Sequence, residues 1–552
     1  MSGTTFPTTD PVDFLVLGAG AAGGVVAKEL ATAGFSVVVL EQGPYLREKD
    51  YSHDEIKYAV QPGLTNDPKV QPIMYRRSEA EKARPIKAIE YGRQVGGGSV
   101  HFTANYWRFH ESDFHERSLF GEVSGASLAD WPVSYADLEP YYTKAEYDLG
   151  ISGLAGANPF EGPRSKPYPL PPMPVKSSGV LFERAAKKLG LHPFPAPVAI
   201  LSQPYQGRAA CVNCGFCESF GCEVRAKSST LVSVIPTAEK TGRCEIRPNS
   251  YVRKIEIDDA GRVTGAVYFD RNRREIFQRA KAVFVCANGA ETPKLLLLSK
   301  SKRFPAGLAN SSGLVGRYLM WDNGGSAQGL FDHPLNEYKG IQVTRLIHDH
   351  YEADPKRGFY GGGAIDARFD YYPISFALSG LAPDAPRWGR EYKEMFTTYF
   401  SRTMTLLAHT SSLAQWKNTV TLDPETKDAW GLPALRITFD HHADDIAAMK
   451  WVMSKQIELL QAAGAQKVWS QSLELADSMP SRHLMGTCRM GNDPKTSVVN
   501  AHSRTHDVPN LFLVDGSNFV TAARQQPTAT IQALAYRAAD YAIGAAKRGE
   551  LI

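Results

Sequence analysis

Asp13-Phe14-Leu15-Val16-Leu17-Gly18-Ala19-Gly20-Ala21-Ala22-Gly23-Gly24 passes from a short apolar run into a glycine turn, and its reading decides the fold. Residues 13–17 predict a buried strand, 18–24 a turn, 25–33 a helix and 35–40 a second buried strand, which together make a β-α-β unit. Each glycine has a physical task. Gly18 permits the tight turn, Gly20 lets the backbone approach a pyrophosphate, and Gly23 lets helix and strand pack closely. Free N–H groups at the helix start then favour the phosphates. Glu41, at the end of the second strand, is placed to accept hydrogen bonds from an adenosine ribose. The pattern predicts a dinucleotide site without distinguishing FAD from NAD.

Beyond this unit, residues 282–286 predict another strand and 288–299 a leucine-rich helix. Residues 51–89 are polar and carry no clear periodicity. The proline-rich stretch 156–204 reads as a long surface connection. From 322 to 475 aromatic residues and short alternating segments (368–376, 397–408, 419–422) predict an antiparallel sheet, followed by a helix over 443–464. The chain then returns to a strand over 511–515 and a helix over 529–546. The expected fold class is therefore α/β. A doubly wound, Rossmann-like nucleotide domain is assembled from 1–155, 205–321 and 476–552, and an α+β domain built on an antiparallel sheet is inserted over 322–475.

Composition narrows the function classes. Over 552 residues the formal net charge is only +4, and no Lys/Arg block resembles a nucleic-acid footprint, so nucleic acid is not expected as a partner. No apolar run is long enough to span a bilayer. The N-terminal residues lack a basic stretch followed by an apolar one, so no signal peptide is expected. Of seven cysteines, Cys211, Cys214, Cys217 and Cys222 are clustered, a pattern closer to metal binding or redox chemistry than to a secreted disulfide framework.

Four stretches, in order, resemble the glucose–methanol–choline (GMC) oxidoreductase family. They are the glycine fingerprint ending at Glu41-Gln42-Gly43, then Gly92-Arg93-Gln94-Val95-Gly96-Gly97-Gly98-Ser99 with Asn105 and Arg108, then Gly289-Ala290-Glu291-Thr292-Pro293, and lastly His483-Leu484-Met485-Gly486-Thr487-Cys488 with Asp515-Gly516-Ser517. The resemblance implies FAD bound by Gly18, Gly20, Gly23, Glu41, Arg93, Gly97, Gly98, Ser99, His101, Asn105, Ala287, Asp515 and Gly516. It implies an alcohol or carbohydrate substrate: a sugar, polyol or sugar acid, with a simple aliphatic or aromatic alcohol as the alternative. A non-catalytic electron-transfer flavoprotein is a third reading, disfavoured by His483 in its motif. His101 matches a position where some members bond covalently to the flavin; the other reading is an imidazole packed beside the ring without a bond.

By the same resemblance His483 is the catalytic base, a role that suits a neutral imidazole working near neutral pH. Family members usually carry a His or Asn in the last loop, where this chain has Gln526. Glutamine can hydrogen-bond a substrate oxygen but cannot take up a proton. The cysteines follow C-x2-C-x2-C-x4-C, similar to the insert of cluster-bearing sugar and gluconate dehydrogenases. The expectation is a 3Fe–4S or 4Fe–4S cluster, with disulfides, free thiols or zinc as alternatives. A cluster would pass electrons to a cytochrome or quinone, with a small partner subunit. Such a partner would also export the folded chain to the periplasm; otherwise a cytoplasmic location is expected.

Overall fold

Val12–Leu17 and Val37–Leu40 lie as parallel neighbours, Leu15 opposite Val38, in the computed structural model, which describes residues 4–551 apart from 62, 88, 323, 471–478 and 481. Unbroken apolar runs suit strands buried on both faces. Cys244–Arg247 extends the sheet beyond Val37–Leu40, again in parallel. On the other side the far half of Glu275–Val285 pairs with Val12–Leu17, and Leu511–Leu513 pairs with it in turn. The near half of the same long strand joins the antiparallel hairpin Tyr251–Ile257 and Val263–Phe269. Helix Ala21–Thr32 packs against Thr528–Lys547 and Val234–Lys240. It starts before its apolar stretch, directly after the turn, because Ala21 and Ala22 are themselves good helix formers.

The second sheet has six strands, all antiparallel, in the order Lys467–Ser470, Ser326–Leu330, Thr403–Thr410, Gly363–Arg368, Arg345–Ile347 and Phe194–Pro195. Successive side chains point to opposite faces. Ile365, Ala367, Met404, Leu406 and Ala408 therefore join a core with Phe182, Val452 and Leu459 from the helices Ser177–Lys188 and Ala443–Ala462. The intervening Asp366, Arg368, Leu407 and His409 face the other way. Asp366 stands opposite Leu407, and His409 opposite Ala364.

Three expectations need correction, and residues 51–89, left open by the sequence, gain an assignment. The stretch 156–204 is more than a surface connection: after its prolines it supplies helix Ser177–Lys188 and the edge strand Phe194–Pro195 to the second sheet. Phe182, Ala185 and Ala186 form the apolar stripe that marks this helix. Residues 51–89 contribute Ile73–Arg76, which pairs in parallel with Pro433–Thr438 and antiparallel with Arg84–Ile86 in a third, four-stranded sheet. The expected strand 368–376 ends at Arg368, and Pro373, which has no N–H for a ladder, opens a helical turn. The expected strand 397–408 is helix Gly389–Arg402 up to Arg402 and strand only from Thr403. Phe396, Tyr399 and Phe400 of that helix pack with Phe369 and Phe376, and this tertiary burial outweighs their β propensity. The expected boundary at 475/476 lies outside the described residues. Among the described residues no helix is long and apolar enough to cross a membrane.

Candidate active site

A large cavity of about 700 Å³ runs from the glycine turn of the first sheet to the charged face of the second. The turn is built for close contact. A side-chain carbon on Gly23 would lie 1.9 Å from the Gly18 carbonyl oxygen, so helix and strand touch backbone to backbone. Gly97, at φ +53°, does the same for the second glycine turn: a Cβ there would lie 2.7 Å from Gly20 Cα. Gly98, beside it, faces open space. Two glycine turns thus press together and leave a concave backbone surface, a shape that fits a dinucleotide pyrophosphate.

Glu41 lines this end of the cavity. Its carboxylate accepts from Ala19 N (3.0 Å) and Gly43 N (2.9 Å). Burial raises its pKa to about 7, against the pull of those donors and of Arg93. Two oxygens with spare lone pairs remain compatible with ribose hydroxyls. Ala287, Asp515, Gly516, Ser99 and His101 line the same cavity. Asp515 is held by Thr292 Oγ1 (2.6 Å) and Ser517 N (2.7 Å). Ser99 spends its hydroxyl proton on the Gly96 carbonyl (2.6 Å). Arg93 and Asn105 fall outside the lining. The guanidinium of Arg93 sits over Trp430, and Asn105 is fully buried with both amide atoms unpartnered.

At the other end His483 and Gln526 line the same cavity, together with residues that the sequence had not singled out. His483 occupies the left-handed backbone region (φ +52°), a strained position for a residue with a Cβ. Its Nδ1 lies 2.5 Å from Asp322 Oδ1. Burial would raise the Asp322 carboxyl, but the imidazoles of His483 and His409 outweigh it and hold the group well below the usual carboxylate range. An ionised carboxylate only accepts, so Nδ1 is the nitrogen of His483 that donates to Asp322. Asp322 Oδ2 is also 3.7 Å from His409 Nδ1.

His409 Nε2 meets Asp366 at 2.8 Å, and the Gln526 amide lies 3.1 Å from His409 Nδ1. Burial works against a charge on this imidazole; its bonds to Asp322 and Asp366 prevail and raise its pKa. Arg368 clamps Asp366 with two parallel bonds of 2.7 and 2.6 Å. The sequence signal for Asp366 and Arg368 was present in Ala364-Ile365-Asp366-Ala367-Arg368, where charges alternate with apolar residues. No local pattern marks Asp322.

The four clustered cysteines lie on one loop at different depths. Cys217 is buried, Cys214 exposed and Cys211 and Cys222 in between. Among the described residues no group of three His, Cys, Asp or Glu side chains is placed to hold a metal ion. The loop folds instead around a cation of the chain itself. The ammonium of Lys227, 2% exposed, donates to the carbonyls of Cys217, Phe220 (2.8 Å) and Phe102 (3.2 Å). Ser219 N donates to the His101 carbonyl (2.7 Å), so the loop is tied to the cavity wall and delivers Glu218 to it. The four thiols share this loop, and Cys211, Cys214 and Cys222 all lie close enough to raise the Cys217 thiol further.

A paired glycine cradle for a dinucleotide, facing a carboxylate-oriented imidazole across one cavity, is the arrangement of a dinucleotide-dependent oxidoreductase. A family model for GMC oxidoreductase matches residues 12–320 and a second matches 414–535, and the chain belongs to this family of FAD-dependent enzymes acting on CH–OH donors. A 2-methyl-1,2-propanediol dehydrogenase of Mycolicibacterium austroafricanum is 35% identical over 97% of this chain and 95% of its own length. The gluconate 2-dehydrogenase flavoprotein of Pantoea cypripedii is 29% identical over 95% and 92%. A formate oxidase of Aspergillus oryzae shares the fold, with a TM-score of 0.65 at 15% identity over 99% of this chain and all of that one.

Proposed function

We propose that this enzyme is a dehydrogenase that oxidises a CH–OH carbon of a sugar, polyol or related hydroxylated compound, with His483 as the base. The observation that carries the reading is the 2.5 Å contact between His483 Nδ1 and Asp322. When bound, FAD supplies the acceptor for the hydride that leaves the alcohol carbon. His483 Nε2 takes the hydroxyl proton, so that the carbon–oxygen bond becomes a carbonyl as the hydride departs. Asp322 fixes the ring orientation and the tautomer that puts the lone pair of the neutral imidazole on Nε2, and steadies the imidazolium once formed. The Gln526 amide, held by His409, contributes a hydrogen bond to the substrate but no proton transfer. The carboxylate-rich polar wall and the diol and sugar-acid names of the relatives support a hydroxylated substrate. Anaerobic mixing of the holoenzyme with sugars and polyols tests the reading: substrate-dependent bleaching of the flavin supports it. No bleaching with any hydroxylated compound would refute it.

Within this reading His101 is the candidate for a covalent flavin link. Its Nε2 is buried with no partner, and burial, aided by Lys227 and Arg482, holds the imidazole down to about 3, so the nitrogen keeps its lone pair. Retention of the flavin chromophore by acid-precipitated protein supports the link, and complete release refutes it.

A further inference from the structure

His409 stands between two carboxylates and an amide. Its Nε2 meets Asp366 at 2.8 Å, and its Nδ1 has Asp322 Oδ2 at 3.7 Å. The amide nitrogen of Gln526 lies 3.1 Å from the same Nδ1. The cations nearby are already paired. Arg368, with one nitrogen 3.4 Å from His409 Nε2, is bound twice by Asp366 and has Asp370 at 3.8 Å, while His483 is held by Asp322. His348, a further imidazole close enough to act on His409, is kept neutral by burial. Gln526 lines the cavity, and its amide oxygen has no partner among the described residues. One imidazole nitrogen, His409 Nδ1, thus decides which end of the amide turns toward the substrate.

We infer that His409 is a positioning residue whose proton sets the polarity that Gln526 shows to the substrate. Unprotonated, Nδ1 accepts from the amide NH2 and the amide oxygen faces the cavity, which is the arrangement in the structure. Protonated, Nδ1 donates instead. The two ends of an amide have nearly the same shape, so the group turns over: its oxygen accepts from Nδ1 and its NH2 faces the cavity. The consequence for the reaction rests on the proposed function. As His483 takes the hydroxyl proton, negative charge grows on the substrate oxygen, which an NH2 donor stabilises and an amide oxygen repels. Protonated His409 is therefore the productive form. Burial and Arg368 oppose its charge, and Asp322 and Asp366 outweigh them.

Holoenzyme 15N-labelled in its glutamine side chains tests the switch without substrate. The Gln526 NH2 resonances, assigned by their loss in Gln526→Leu, are followed by NMR between about pH 5.5 and 9.5. They are expected to shift with a midpoint above the ordinary imidazole value of about 6.5. In His409→Gln they should stay in place, because that side chain can still donate to Asp366 but carries no titrating proton. Resonances that do not move with pH, or that move alike in His409→Gln, overturn the switch. Stopped-flow kinetics reads its consequence, with whichever of D-sorbitol, glycerol and 2-methyl-1,2-propanediol bleaches the flavin fastest. At saturation, flavin reduction should slow by about tenfold or more as pH rises through the same midpoint. Gln526→Leu should be slow throughout and lack this decline; a decline unchanged in that variant overturns the productive role of protonated His409. Bleaching by none of the three counts against the proposed function and not against the switch, which the resonances decide.

Discussion

At the residue scale the site depends on which nitrogen of His483 is free. His483→Ala is expected to lower kcat by at least about a hundredfold while FAD absorbance is retained, since general-base catalysis contributes on that order. Stopped-flow flavin reduction checks this. Asp322 acts through His483 as a positioning residue, so Asp322→Asn should lower kcat by at least about tenfold with little change in substrate dissociation. Asp322→Glu should recover part of the loss, which a merely structural role would not allow. How legible these residues were follows from where their information lies. His483 sits within a long motif and Gln526 in the loop that follows it, so both could be singled out from the sequence. Asp322 and His409 belong to separate strands or their ends, and only the closure of the second sheet over the first makes them neighbours of His483.

At the scale of elements, the two glycine turns form a single device. Gly97→Ala places a side chain against Gly20 Cα, at a backbone angle that disfavours it. Purified Gly97→Ala is therefore expected to carry well under half the FAD of the parent, measured as the ratio of flavin to protein absorbance. The cysteine loop depends on Lys227 in the same way. Lys227→Met leaves three buried carbonyls without their donor and should cost about 2–4 kcal/mol in unfolding by denaturant. The first β-α-β unit could be read closely because period, turn and length agree. The helix Gly389–Arg402 could not, because its Thr, Tyr and Phe favour strands locally and only burial against Phe369 and Phe376 decides otherwise. The cysteine spacing shows which thiols share a loop, but not the lysine whose ammonium ties the loop's carbonyls together.

At the scale of the whole molecule, one buried guanidinium joins distant parts of the chain. Arg524, with no exposed surface, lies 2.9 Å from Glu116 and 3.3 Å from Asp113, with Tyr351 and Tyr360 around it. Removing the cation strands two buried carboxylates. Arg524→Met is thus expected to destabilise the protein by about 3–5 kcal/mol, measured by chemical unfolding with flavin fluorescence as the probe. The α/β class and the split of the nucleotide sheet between early and late segments were legible because strands repeat the same apolar signature. The third sheet was not, since Ile73–Arg76 is short, lies in a polar stretch and finds its parallel partner at Pro433–Thr438.

The pairing of Leu511–Leu513 with the far half of Glu275–Val285 has a consequence for synthesis of the chain. Val283, Phe284 and Val285 leave the ribosome more than two hundred residues before the strand that covers their edge. At ordinary translation rates that interval is roughly ten to fifty seconds. During it the nascent nucleotide half presents an open, fully apolar strand edge, the kind of surface that recruits another chain. Yield in an expression host should therefore respond to chaperone supply and growth temperature more than the stability of the finished enzyme would suggest.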